Sequence, residues 1–349
     1  MRTLFLVALI LLFHSCEKKK TEFVPRDFKT VEIESILEDS LLSIRAIDIL
    51  NDNNLAFAAN NNSFGLYNPL NKSWNISKQV HDSLEFSFRA VSHTINDFFM
   101  LTIASPTLLF KTSESGMKLV YKEDHEKAFY DSMNFWNDQE GIAMGDPTDD
   151  CISIIITRDG GNTWTKLSCD DLPKANEGEA AFAASDTNIA IVGNHTWIAT
   201  GGNSSRVLYS PDKGESWKVF ETPIIQGIGT TGMYSIDFYD ELNGFAIGGD
   251  YTKPKDNSAN KIRTSDGGKT WEIVGANQEP GYRSCVQYLP NRKGKELVVV
   301  GFNGIDYSND AGSTWTHLSD EGFYTIRFVD ENTAYAAGKG KISKLTFRE

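Results

Sequence analysis

The sequence predicts an all-β protein, a seven-bladed β-propeller of four-stranded antiparallel blades. Three observations predict this fold: an eight-residue motif that occurs four times, two degraded copies of it, and short apolar strands ending near glycine between the copies. Repeats of about 40–50 residues with strand-like flanks are typical of propeller blades. The pattern contains no convincing long helix.

The repeated motif has the form [Ser/Thr]-x-Asp-x-Gly-x-[Ser/Thr]-Trp and lies at residues 157–164, 210–217, 264–271 and 308–315. An Asp side chain in such a turn accepts backbone N–H bonds, and glycine adopts a positive φ without steric cost. The Trp then anchors the returning strand as a large apolar side chain. The motif therefore predicts a structural hairpin, carried by Asp159, Trp164, Asp212, Trp217, Asp266, Trp271, Asp310 and Trp315.

The two degraded copies lie earlier in the chain, at residues 67–74 and 112–119. The first keeps the Trp and has Asn71 at the Gly position, which tolerates that backbone conformation. The second has Glu114 in place of Asp and Leu119 in place of Trp. Six motifs thus indicate six blades.

The ends of the chain supply a seventh blade. Residues 324–347 contain three further strands and no motif, and residues 28–36 read as the missing fourth strand. Pairing of residues 28–36 beside 341–347 would close the ring and leave no exposed sheet edge.

The motif resembles the Asp-box, or BNR, repeat of sialidases, sortilin-type receptors and xyloglucan-cleaving glycosidases. Together with the F-x-x-x-x-x-G-[FI]-A-x-G strands, such as residues 238–248, it is most similar to the photosystem II assembly/stability factor-like family of seven-bladed propellers. That resemblance implies a single propeller whose motifs lie away from any active centre. It also implies binding of partner proteins, partly through an arginine patch, for which Arg45, Arg89 and Arg283 are the available residues.

Composition fits one large globular domain. The 349 residues are 40% hydrophobic and 23% charged, with a formal net charge of −13. Such an acidic chain argues against nucleic acid and anionic lipid surfaces as partners. We expect a monomer that binds a protein partner or a glycan.

The first residues predict export as a bacterial lipoprotein. A basic start and a short apolar run at residues 4–13 end at Ser15-Cys16, and the run is too short to span a bilayer. We expect a signal peptide at residues 1–16, a lipid anchor on Cys16, a tether at 17–27 and the propeller at 28–349. The protein would then be held to a membrane by the anchor alone, on its periplasmic or cell-surface side; an ordinary cleaved signal is the alternative.

Three cysteines remain in the expected mature domain. Cys151 and Cys169 flank the Asp159 turn almost symmetrically, so they could form a cross-strand disulfide. Two free thiols are the alternative. Cys285 reads as a buried small apolar residue. Neither the cysteine and histidine spacings nor the glycine pattern predicts a metal or a cofactor.

Propeller geometry places the motif turns on one face and the starts of the inner strands on the other, around the channel mouth. Mixed Arg and carboxylate side chains on this second face are the candidate ligand site. Arg45, Arg89, Asp131 and Tyr234 occupy equivalent positions at inner-strand starts. The other candidates are Arg283, Glu177, Glu179, Asp146, Asp149, Asp150 and Asp250. For each of these residues, the alternative is a structural role, in which the side chain bonds to neighbouring backbone or forms a turn.

Two classes of function stay open. The first is a lipid-anchored, non-catalytic scaffold that binds a partner at the channel mouth. The second is a glycan-cleaving hydrolase, which would need two carboxylates about 5–10 Å apart, drawn from Asp131, Glu179, Asp146 and Asp250. An oxidoreductase, a label that look-alikes carry, is a remote third.

The fourth blade has one strand-like segment too many. Residues 181–185, 189–193 and 197–202 all read as strands, so we expect an insertion there, with the face of His195 left open.

Overall fold

The computed structural model describes residues 23–349, so the predictions for the signal peptide, for Cys16 and for most of the tether lie outside the described residues. All 28 regular elements of the described chain are β-strands. In residues 23–349, no helix has the length and apolarity that would let it cross a membrane.

The strands of the first half of the chain are β1 (Thr30–Ile49), β2 (Leu55–Ala59), β3 (Ser63–Asn68), β4 (Ser73–Lys78), β5 (Phe88–His93), β6 (Phe98–Thr102), β7 (Thr107–Ser113), β8 (Gly116–Glu123), β9 (Tyr130–Phe135), β10 (Gly141–Gly145), β11 (Ser153–Thr157), β12 (Thr165–Lys166) and β13 (Glu179–Ala180). Those of the second half are β14 (Ile189–Val192), β15 (His195–Ala199), β16 (Gly201–Gly202), β17 (Arg206–Ser210), β18 (Lys218–Glu221), β19 (Thr231–Phe238), β20 (Gly244–Asp250), β21 (Lys261–Thr264), β22 (Glu272–Ile273), β23 (Cys285–Tyr288), β24 (Leu297–Gly301), β25 (Gly304–Ser308), β26 (Thr316–Ser319), β27 (Thr325–Phe328) and β28 (Thr333–Arg348).

These strands form antiparallel sheets, numbered here along the chain. Sheet 1 has the order β27-β28-β1-β2-β3-β4, sheet 2 contains β5 to β8, sheet 3 β9 to β12, sheet 4 β14-β15-β17-β18, sheet 5 β13-β16-β19-β20-β21-β22, and sheet 6 β23 to β26. Second strands such as β2, β10 and β24 are buried along their whole length. Their continuous apolar sequences suit strands covered on both faces.

The expected seven separate blades are not what the described strands form, since they make six sheets. The reason lies in two long strands at the chain ends. β1 pairs with β28 from Thr30↔Arg348 to Ser43↔Lys339, and then continues without a break into its pairing with β2 from Ile44↔Ala59. The terminal strands and the first four-stranded unit therefore share one sheet.

The fourth unit also differs from the sequence reading. Residues 181–185 form no strand, because this apolar segment crosses the centre of the molecule instead. The short β13 and β16 pair with each other and join sheet 5 through Gly201↔Gly232. His195 begins β15, and its Nδ1 lies 2.6 Å from the Tyr209 hydroxyl.

The four intact Trp-ended motifs are hairpin turns held by their own Asp. In the third copy, Oδ1 of Asp266 accepts the backbone N–H groups of Lys269 and Thr270, each at 3.0 Å. Its Oδ2 accepts the Thr270 hydroxyl at 2.7 Å. Trp271 Nε1 then donates to the carbonyl of Gly268, whose φ is 81°. Asp159, Asp212 and Asp310 each accept the same backbone and hydroxyl pair from the Thr or Ser four positions on.

We expect Asp266→Ala to lower the free energy of unfolding by about 1–3 kcal/mol, since it leaves several turn donors unpaired. Glu114→Ala is the matched control. It removes the acid from the same position of a degraded motif, where the side chain makes no hydrogen bond with residues 23–349, so we expect less than about 0.5 kcal/mol. Urea denaturation measures both, and equal losses would contradict the structural role of the Asp.

Cys151 and Cys169 are joined by a disulfide, with a Cα–Cα distance of 5.4 Å. The bridge lies beside the apolar core between sheets 3 and 4. Cys285 is a buried free thiol.

Candidate ligand-binding site at the channel mouth

Four inner strands carry a β-bulge at the same place near their start. In β1, β5, β9 and β19 the register shifts across one residue each: Arg45, Arg89, Asp131 and Tyr234. A bulge bends its strand and re-aims the extra side chain. The sequence aligns the same four positions. Their equivalence therefore results from a β-bulge that the four strands share.

Residues 184–187, the central segment, run between the inner strands just before β14. Their hydrogen-bond partners come from the inner strands or their starts in the other sheets: Arg45, Val91, Met133, Ser235, Ile236, Ser284, Thr325 and Arg327. A four-residue segment can reach all these strands only from the middle of the molecule. The segment therefore fills the channel and forms the floor beneath the mouth.

Asp186 holds the central segment in place. Its two carboxylate oxygens accept the backbone N–H groups of Val91 at 2.8 Å and Met133 at 3.1 Å. Burial raises the pKa of this carboxyl to about 8, against the opposing effects of Arg327 and these two N–H donors. Its backbone has a φ of 58°, a left-handed conformation that Asp tolerates.

Two arginines at the mouth have no carboxylate partner among residues 23–349. Arg45 donates to the carbonyl of Ala184 at 3.3 Å and lies 3.9 Å over the ring of Tyr324. Arg89 donates to the carbonyl of Phe88 at 3.2 Å. Burial, and then the charge of Arg45, lower the pKa of Arg89 to about 10. The mouth thus contains two neighbouring cations that an anion would stabilise.

Aromatic rings surround this positive floor. Phe182 stacks on Tyr234 with ring centroids 3.8 Å apart, and Tyr282 meets Tyr234 edge-on at 4.8 Å. Outside them, Tyr251 and Phe302 pack near Tyr282 and are 48% and 46% exposed. Exposed aromatic rings beside unpaired arginines favour binding of an amphipathic ligand.

Several of the other candidate residues are instead bound inside the protein. Glu179 is buried against Arg206, whose Nη2 lies 2.5 Å from Oε2. Arg283 is buried and donates through Nε to Asp306 at 2.7 Å. Asp250 accepts the backbone N–H and hydroxyl of Thr252 and closes its own turn.

Asp146, Asp149, Asp150 and Glu177, the remaining acidic candidates, line one hollow beside the mouth, and the buried Glu179 also borders it. Asp150 pairs with Lys174 at 3.0 Å, whereas Asp149 and Glu177 are exposed. Asp146 accepts the backbone N–H of Ala181 at 2.7 Å, and burial raises its pKa to about 6.

Asp131 is fully buried, and neither carboxylate oxygen has a hydrogen-bond partner in residues 23–349. Burial, and then the charge of Asp146, raise its pKa well above the usual value. A buried carboxyl cannot reach a glycan at the surface. Within the described chain, no group of His, Cys, Asp and Glu could hold a metal ion.

Sequence reasoning missed the residues that give the mouth its floor and walls. They are Phe182, Asp186, Tyr282, Phe302, Tyr324 and Arg327. Arg327 occupies an inner strand, TIRF, and was detectable as a charged residue in an otherwise apolar strand. Asp186 carried no local signal, because its partners lie 95 and 53 residues away.

No family model matches this sequence, and no curated protein matches it. Solved structures do match. YCF48 bound to D1 peptide aligns with a TM-score of 0.67 at 13% identity, covering 94% of this chain and 98% of that one. The WD40 repeats of RRP9 align with a TM-score of 0.64 at 11% identity, covering 93% and 100%.

A third match is a catalytically inactive virginiamycin B lyase from Staphylococcus aureus with quinupristin, with a TM-score of 0.60 at 12% identity, covering 92% and 99%. At these identities the matches establish the fold alone. The protein is a β-propeller of four-stranded antiparallel blades. Because such propellers include binding proteins and a lyase, its function has to be argued from the site.

Proposed function

We propose that this protein is a non-catalytic scaffold whose channel mouth binds an acidic, aromatic-containing segment of a partner protein. The unpaired guanidinium groups of Arg45 and Arg89 carry the proposal. They would donate hydrogen bonds to carboxylates of the partner, and the exposed rings of Tyr251 and Phe302 would contact its apolar side chains. The central segment closes the channel below, so a bound segment would lie across the mouth rather than thread through it.

Two observations support a protein partner. One structural neighbour is YCF48 with a bound D1 peptide. The mouth also has exposed aromatic side chains at its edge. The glycan-cleaving alternative gains no support, because Asp131 is buried and Glu179 is committed to Arg206.

We further propose that the chain forms a closed seven-bladed ring, with the six-stranded sheet 1 contributing two blades. The pairing of Ile33 with Leu345 supports this, since it joins the two ends of the described chain. The N–H of Phe347 donates to the carbonyl of Asn332 at 2.9 Å, as it would if β28 folded back into two adjacent strands. Each half of sheet 1 would then be a complete four-stranded blade, and neither end of the chain would leave an unpaired strand at the closure of the ring.

We also propose that the ring is carried on a lipidated Cys16 at the outer side of a bacterial inner membrane or at the cell surface. The apolar run followed by Ser15-Cys16 supports this. Several acyl chains on one residue would anchor it stably. Metabolic labelling with an alkyne fatty acid, in wild type and Cys16→Ala, tests it.

The binding proposal is tested with peptides of defined charge. Fluorescein-labelled Gly-Asp-Phe-Asp-Tyr-Asp is titrated against the protein and compared with the uncharged analogue, in which Asn replaces each Asp. We expect the acidic peptide to bind, and Arg45→Gln with Arg89→Gln to weaken its binding about tenfold or more. The control variant, Lys118→Gln with Lys269→Gln, removes two exposed lysines from the opposite face and should change the affinity less than about twofold.

Equal binding of the acidic and uncharged peptides, or equal weakening by the two double variants, would overturn the assignment of the mouth. Circular dichroism of each variant establishes that it is folded. Turnover of a broad glycoside panel by wild type would instead favour the hydrolase.

A further inference from the structure

Two Trp-ended motifs also seal clefts between neighbouring sheets, whereas the sheet 1–sheet 2 cleft is unsealed. At the sheet 2–sheet 3 cleft, Gly161 packs on Phe99 so closely that an added Cβ would come within 2.2 Å of the ring. At the sheet 5–sheet 6 cleft, Gly312 packs on Phe245 in the same way, within 2.1 Å. In both cases the aromatic platform is the second residue of the second strand, β6 or β20.

The Trp of each motif also packs against the aromatic platform of the neighbouring sheet. Trp164 lies with its ring centroid 6.4 Å from that of Phe99, and Trp315 lies 5.8 Å from Phe245. Each of these clefts therefore contains an aromatic platform on one sheet and a Gly turn with an indole from the next sheet.

The sheet 1–sheet 2 cleft has lost both parts. Ala56, the second residue of β2, stands at the platform position. On the other side, β7 and β8 are joined by a tight hairpin with Ser113 paired to Gly116, and Leu119 replaces the Trp. Gly116 has no atom within 4 Å of its Cβ position, so it does not pack on a platform as Gly161 and Gly312 do.

The result is an open groove of about 460 Å³. Its apolar wall consists of Ala56, Phe64, Leu66, Ile95, Phe98 and Met117. Leu66 is 38% and Ile95 65% exposed to solvent. A volume of this size lies within the range of ligand sites in proteins.

The charges around the groove are negative. Asp52 and Asp97 line it, together with His93, whose Nδ1 lies 2.7 Å from Oδ2 of Asp48; no lysine or arginine of residues 23–349 lines it. Asp97 is paired with Lys111 at 3.1 Å, whereas the Asp52 carboxylate bonds only to Asn54 among residues 23–349. A cationic side chain beside an inserted ring would therefore find a complementary charge.

We propose that the sheet 1–sheet 2 groove binds a tryptophan or similar aromatic side chain of a partner protein, with a lysine or arginine next to it in the partner sequence. The partner ring would lie beside Ala56, at the position where the sealed clefts have their aromatic platform. This site lies near the inner-to-second strand turns at Asn51 and Asn96, away from the channel mouth, and takes a segment of opposite charge. Its failure is therefore distinguishable from failure of the mouth proposal.

Fluorescein-labelled Gly-Lys-Trp-Lys-Gly is titrated against the full chain and followed by anisotropy. We expect it to bind at least about tenfold more tightly than Gly-Lys-Ala-Lys-Gly and than Gly-Glu-Trp-Glu-Gly. Leu66→Arg places a cation in the groove and should weaken binding about tenfold. Leu70→Arg adds the same charge at a residue that is 94% exposed outside the groove, and should have little effect.

No binding of the Lys-Trp-Lys peptide, equal binding of the Ala peptide, or equal loss in the Leu66 and Leu70 variants would overturn the proposal. Sedimentation velocity tests the other occupant. A dimer of the wild type that Leu66→Arg disrupts and Leu70→Arg does not would assign the groove to a second copy of the chain, and would also overturn it.

Discussion

Glu179→Ala should lower the free energy of unfolding by about 3–5 kcal/mol, because it leaves a buried guanidinium without its carboxylate. Arg206 is 6% exposed, and Glu179 also accepts the Thr200 hydroxyl at 2.6 Å. Thermal and urea denaturation measure the loss. A loss of this size shifts the midpoint of thermal unfolding by roughly 10 °C in a domain of this length.

The control for this variant is Glu221→Ala. Glu221 is the second carboxylate near Arg206, at 3.9 Å, and its side chain is 73% exposed. Exposed ion pairs contribute about 0–1 kcal/mol, so this change should be nearly neutral. If both variants unfolded at the same denaturant concentration, Glu179 would not be the structural partner of Arg206. Glu179 would then again be a candidate ligand-binding residue.

Asp131→Asn should make the protein more stable at alkaline pH. The folded state raises the pKa of Asp131, so its contribution to stability is full below the unfolded value of about 3.9 and is lost as pH rises toward the folded pKa. The amide does not titrate and removes this loss. We expect a gain of about 2 kcal/mol at pH 8.5 and little change at pH 4.5.

Urea denaturation across this pH range provides the measurement. Asp149→Asn is the control, since Asp149 is exposed on the same face and its replacement should leave the pH profile of stability unchanged. A gain that is equal at pH 4.5 and pH 8.5 would mean that the Asp131 carboxyl does not titrate as a buried group.

Features encoded locally could be predicted from the sequence. The Asp266 turn is fixed by residues within four positions of it, and the motif alone therefore predicts its hydrogen bonds. Arg45, Arg89, Asp131 and Tyr234 could be aligned because each precedes the same alternating strand. The structure adds the bulge that gives these positions a common geometry.

Features that depend on distant partners could not be predicted. Glu179 and Arg283 were predicted to bind a ligand because the neighbouring sequence does not indicate their ion-pair partners. These partners are Arg206 for Glu179 and Asp306 for Arg283. Residues 181–185 looked like a strand because a segment buried at the centre of a propeller is as apolar as a strand covered on both faces. The blade count differed since the sequence does not reveal that β1 runs continuously through two pairings.

The central claim is that the partner binds at the mouth, on the face opposite the Trp-ended turns. Photo-crosslinking in intact cells tests it most directly, with p-benzoylphenylalanine replacing either Phe302 at the mouth or Lys269 in a Trp-ended turn. Both side chains are exposed, so both positions can report a contact. We predict a protein adduct from position 302 and none from position 269; an adduct from position 269 alone would contradict the claim.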